Sequence, residues 1–267
     1  MKESGPDVIA VPGVLSSGDS QLLDQLPHGF KVPVQPEDPA WRARRALVSE
    51  LRQLGDQLMR SQGDVACFEA AAALIVAARE VIQRAPTRSF FEAHQARDTS
   101  AHEEWADRSP VIGHANPAAP PLSLEIEGDE VAGRGTYCEL FQGGPGCVHG
   151  GHIAAGFDHV LGAAALRRGV VCMTGKLSVK YRKPVRLGVP VEYRARIKDV
   201  VGRATLVVGE LRSAAQPGGQ LDGAGQLLAE AEGMFVELAL DQMRDLLDRH
   251  PKAAPAESGA PHPQTPK

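Results

Sequence analysis

Cysteine is scarce in this chain and poorly placed for chemistry of its own. Cys67, Cys138, Cys147 and Cys172 are widely separated and form no C-x-x-C pair. That spacing excludes a zinc ribbon or a disulfide framework and predicts free thiols in a reducing compartment. Long hydrophobic runs are missing too. The stretch Ala70 to Ala78 is closed by Glu69 and Arg79, far short of the roughly 20 residues that span a bilayer. The first residues, "MKESGPDVIAVPGVLSSGDS", lack the charged-then-apolar pattern of a secretion signal. A cytoplasmic location without membrane attachment is therefore expected. Positive charge is not in excess: the net charge of −4 gives no global field for nucleic acid. Internal repeats are absent. What remains is ordinary globular composition, 43% apolar and 23% charged over 267 residues, enough for one or two domains with a real core.

The residues that are present divide the chain into four expected regions. Residues 1–36 form a flexible lead-in and 37–115 a helical N-terminal extension. An α+β domain covers 116–240, and 241–267 hold a short helix and a disordered tail. Asp38-Pro39 is a good helix start, since aspartate caps exposed amides and proline suits the first helical position. Leu47, Leu51, Leu54 and Leu58 then repeat at helical spacing. A second helix is expected from Asp64 to the Pro86 break, and the short "SQGD" link suggests a helical hairpin. Pro/Ala-rich "SPVIGHANPAAPP" reads as a boundary or an extended lead-in.

From there the period changes to two. Leu122, Leu124 and Ile126 alternate with polar residues, and Gly128-Asp129 supplies a hairpin turn. The returning strand is expected over Val131 to Phe141. Further strands follow near Cys172–Val185, Pro190–Val200, Ala204–Arg212 and Leu227–Leu238. Two strands, one helix and four strands make an α+β fold, with the helix packed on an antiparallel sheet.

That helix, within "GCVHGGHIAAGFDHVLGAAALRRG", is apolar nearly all round yet carries Asp158. Such a helix is normally buried, and a carboxylate in it is costly unless paired, protonated or used. The helix is expected to begin near His149–Gly151. A helix start carries unpaired N–H groups and partial positive charge, and Gly150 and Gly151 leave those amides open to a substrate oxygen. Eight residues separate Gly150 from Asp158, about 12 Å at ~1.5 Å per residue, too far for both to touch one carbonyl. A twofold partner with an antiparallel helix alongside would bring them together. A metal centre is disfavoured: His152 and His159 share a face, Asp158 lies about 120° from His152, and no H-E-x-x-H pattern occurs.

The segment "HGGHIAAGFD" resembles the H-G-G-x(6)-D signature of hot-dog-fold acyl-CoA thioesterases, in the branch holding phenylacetyl-CoA and human thioesterase-superfamily enzymes. "CMTGKLSVKYRKPVRLG" is similar to the family's strand that opens on Thr or Asn and ends in Y-[KR]-[KR]-P. The resemblance covers roughly Pro121 to Leu238 and implies a sheet wrapped around a central helix. It further implies that Asp158 is the catalytic carboxylate, nucleophile or general base. Gly151 with Gly150 would polarise the thioester carbonyl, His149 would help place it, and Thr174 would orient water or the carboxylate. No cofactor is implied beyond the coenzyme A of the substrate. An alternating basic set on the strand, including Lys180, with Arg182 and Lys183 at its end, suits the coenzyme A phosphates. The expected assembly is a homodimer, with a dimer of dimers left open. A non-catalytic acyl-CoA-binding protein is the alternative reading.

Overall fold

The computed structural model describes residues 38–87, 106–120, 122–214 and 225–239. The lead-in over 1–36 and the tail over 241–267 lie outside the described residues. Helix α1 spans Pro39–Arg60, with Asp38 as its N-cap accepting the Ala40 amide at 2.8 Å. Helix α2 spans Val65–Gln83, capped by Asp64 through the Cys67 amide at 2.8 Å. Both starts fall where the capping residues place them.

The expected hairpin does not form. No residue of α2 is buried, and the leucines of α1 remain 38–56% exposed. The opposite face of α1 is the one that docks. Trp41 Nε1 and Arg45 Nε donate to Asp107 Oδ2 at 2.6 and 2.7 Å, and Asp107 is fully buried. Arg52 donates to the carbonyls of Gly113, His114 and Asn116, each at 2.9 Å. Asp56 accepts the Glu139 amide at 2.8 Å, and Gly55 gives room to Leu140. Periodicity identifies an apolar face without naming its partner; here the amides and carbonyls of the neighbouring turns recruit the polar face instead. Within the segment Ser109 to Pro121, expected as a boundary or an extended lead-in, Ile112, Ala115 and Ala119 are buried.

Six antiparallel strands follow: β1 Ser123–Glu127, β2 Glu130–Thr136, β3 Cys172–Tyr181, β4 Pro190–Val201, β5 Ala204–Ser213 and β6 Leu227–Glu237. Their order in the sheet is β1-β2-β4-β5-β6-β3. Gly128, at φ +62°, and Asp129 make the two-residue turn between β1 and β2. Helix α3, Gly150–Leu166, lies in the curve of this sheet, with Ile153, Phe157, Val160, Leu161, Ala164 and Ala165 buried against it. Burying one such large side chain contributes about 1.5–3 kcal/mol. Close approach is possible because a side chain at Gly133 or Gly209 would strike Val160 or Leu161.

Two strands stop short of expectation. β2 ends at Thr136, and the chain turns through a short 3-10 helix, Glu139–Phe141. Tyr137 is thereby buried, and its hydroxyl meets that of Tyr193 at 2.7 Å. β3 ends at Tyr181, after which the Arg182 and Lys183 amides both turn to the Leu228 carbonyl. Pro184, which has no amide hydrogen, follows.

Candidate active site

The start of α3 is set by the loop before it. Gly146 adopts φ +66°, and the loop is tied by Gly143 N to Cys147 O and by Val148 N to Val185 O, both at 2.8 Å. Gly143 passes so close to His149 that a Cβ there would stand 2.7 Å from the His149 Cα. His149 arrives as the N-cap, and its Nδ1 accepts the Gly151 amide at 2.9 Å. The two glycines therefore differ. Gly151 N–H is occupied by the imidazole, whereas Gly150 N–H meets no acceptor among the described residues. Gly150 is the open donor at this helix end.

Asp158 lies two turns along the same helix and is half-buried. Thr174 Oγ1 on β3 donates to Asp158 Oδ1 at 2.8 Å. This contact depends on a β-bulge. Thr174 stands opposite Phe235, Lys176 stands opposite Met234, and Gly175 is the extra residue between them. The bulge lets Thr174 face the helix while Lys176 turns to the outer surface. Asp158 Oδ2 keeps its capacity to accept, with no hydrogen bond to the described residues. The arrangement can hold a water or an electrophilic carbon at a carboxylate oriented by a hydroxyl.

Burial, and the nearby His149, lower the pKa of His152, whose ring lies edge-on to Phe141 at 5.0 Å. Burial pushes His159 down to about 4, against the opposing pull of Asp158. Among the described residues no group of three or more potential metal ligands converges.

The three basic residues differ in their surroundings. Lys180 lines the outer face of the sheet together with Lys176, Glu230 and Glu232, while Leu177 and Val179 of the same strand pack on the core. Arg182 Nε is engaged by Glu230 at 2.5 Å. Lys183 is exposed, and its ammonium has no hydrogen bond or ion pair among the described residues.

One residue near the site gives no signal of its role in periodicity or charge. Tyr181 donates through its hydroxyl to the Gly150 carbonyl at 2.8 Å. The Tyr137–Tyr193 pair beneath the helix also escapes a reading based on pattern, because each ring reads simply as an apolar strand residue. Gly156 accommodates Tyr193: a Cβ there would sit 2.5 Å from its hydroxyl.

Comparison with known proteins places this geometry. Residues 145–216 match the model of the thioesterase superfamily. Acyl-coenzyme A thioesterase THEM4 of Mus musculus is 33% identical over 105 residues, 37% of this chain and 42% of that relative. The Rattus norvegicus THEM4 is 32% identical over 109 residues, 39% of this chain and 44% of that relative. The match thus spans less than half the length of these curated relatives. A crystallised thioesterase superfamily protein, 29% identical, superposes with a TM-score of 0.60, covering 77% of this chain and 97% of its own. The sheet wrapped on α3, the matching family model and this structural neighbour agree: the chain carries a thioesterase-superfamily domain of hot-dog fold.

Proposed function

We propose that this protein hydrolyses an acyl-CoA thioester to the free acid and coenzyme A. The observation that carries the reading is the 2.8 Å hydrogen bond from Thr174 to Asp158, which orients a carboxylate at the open side of the central helix. Asp158 delivers the attacking oxygen, either its own or that of a water whose proton it takes. The carbonyl oxygen gains negative charge as the new C–O bond forms, and the Gly150 amide at the helix start receives it. The C–S bond then breaks, and the thiolate leaves without a strong acid; where Asp158 itself attacked, a water then hydrolyses the resulting mixed anhydride, releasing the acid and restoring the carboxylate. His149, bound to the Gly151 amide, keeps the first turn in shape.

The helix starts at Gly150, so that amide and Asp158 are still about 12 Å apart along one axis. The site is therefore drawn from two chains, the amide of one facing the carboxylate of the other, in a homodimer. Lys183 is the best-placed of the basic residues to meet a coenzyme A phosphate, since Arg182 is held by Glu230 and Lys180 faces the outer groove. The four free thiols suit a reducing, cytoplasmic setting. No separate cofactor enters this scheme. A thiol-release assay against aryl- and alkyl-CoA esters tests the reading. Release that depends on Asp158 supports it; tight acyl-CoA binding with no release would replace it with a binding role.

A further inference from the structure

Gly150 and its amide are shaped by a residue from a distant strand. The peptide unit joining Gly150 to Gly151 has both polar atoms held by side chains: its carbonyl accepts from Tyr181 at 2.8 Å, and its N–H is accepted by His149 Nδ1 at 2.9 Å. The Tyr181 ring also lies over Gly150, since a Cβ built there would meet its Cζ and Oη at 3.3 Å. With the following peptide fixed in this way, rotation about the Gly150 backbone is restricted, and the unpartnered Gly150 N–H keeps one direction. Glycine at the first position of a helix would otherwise be the residue freest to fray.

We propose that Tyr181 is a positioning residue: its hydroxyl pins the first turn of α3 so that the Gly150 amide is aimed before substrate arrives. Tyr181 is the last residue of β3, paired with Ala229 of β6, so the sheet itself carries the pin. A 52% exposed side chain contributes little to the core, and its place at the mouth of the helix start is explained by this contact. The functional half of the proposal rests on the hydrolase reading above.

The test is Tyr181→Phe in the full chain, which keeps the ring and removes the O–H. Two measurements are made. Hydrogen exchange of the Gly151 amide, followed by NMR, should accelerate several-fold as the peptide unit loosens, with Tm essentially unchanged. The kcat for acyl-CoA hydrolysis should fall about tenfold, which equals ~1.4 kcal/mol and is within the reach of one hydrogen bond, while KM stays within twofold. Unchanged Gly151 exchange overturns the pin, whatever the activity. Faster exchange with unchanged kcat, or a change confined to KM, overturns the positioning role and makes Tyr181 a wall of the substrate site. If the wild-type chain hydrolyses no acyl-CoA, the hydrolase reading and the functional half of the proposal fail together, and the exchange measurement still decides whether Tyr181 holds the turn.

Discussion

Thr174 and Asp158 lie 16 residues apart in sequence and on different elements, yet their side chains meet at 2.8 Å. Removing either partner should separate their roles. Asp158→Asn should lower kcat by at least ~10²–10⁴-fold with the fold intact, the range typical for loss of a required base. Thr174→Ala should lower kcat more than it raises KM, because an orienting hydroxyl acts mainly in the transition state. Steady-state kinetics with circular dichroism on each variant checks both. Near-normal turnover in Asp158→Asn would end the catalytic assignment.

Chain mixing addresses the division of the site. Asp158→Ala and Gly150→Val chains should each be inactive alone. Mixed dimers should recover about half the wild-type activity, since one of the two sites regains both native parts. The measurement is activity after refolding the variants together, with dimer content followed by differently tagged chains. Mixed dimers as inactive as either parent would place both groups in one chain's site.

Two glycines inside α3 should respond in opposite ways. At Gly156 a Cβ would stand 2.5 Å from the buried Tyr193 hydroxyl, so Gly156→Ala should cost about 1–3 kcal/mol through overpacking. At Gly162 the nearest neighbour would be Phe235 at 3.4 Å, ordinary contact. Gly162→Ala should therefore stabilise by up to ~1 kcal/mol through helix propensity. Urea titration of the two variants gives both signs directly.

Acid stability should report His159. Its folded pKa, about 4, lies below the usual 6.5 because burial disfavours the imidazolium. The unfolded chain then binds the proton first. The contribution of this group is fully present above pH 6.5 and is lost as pH falls from 6.5 towards 4. His159→Gln should flatten that part of the stability curve relative to wild type, by a few kcal/mol at most. Identical wild-type and variant slopes in that window would show that His159 titrates normally.

Much of this architecture was legible in the chain itself, for reasons that differ by element. Period-two alternation and Gly128-Asp129 foretell the first hairpin, and Asp38 and Asp64 mark the helix starts because capping is local chemistry. Asp158 stood out as a carboxylate in an apolar helix, whereas Thr174 was legible only through resemblance. Contacts between distant segments were not legible. Nothing near Asp107 announces that Trp41 and Arg45 will find it, and nothing near Tyr181 points to Gly150. The hairpin failed for the same reason: a leucine stripe states a preference for burial but not an address.

The extra residue at Gly175 has a consequence for how this strand can change over time. It separates Thr174, which must look inward, from a run in which Leu177 and Val179 look inward by ordinary alternation. Substitutions beyond the bulge can alter the outer surface freely without touching the polar pair. A deletion of one residue there would leave Thr174 and Leu177 two residues apart, so that both face inward by plain alternation. Straightening the bulge with Gly175 still in place is different: it would turn either Thr174 or the whole downstream face the wrong way. The reading frame of the strand, counted in single amino acids, is thus as much a part of the site as the hydroxyl it delivers.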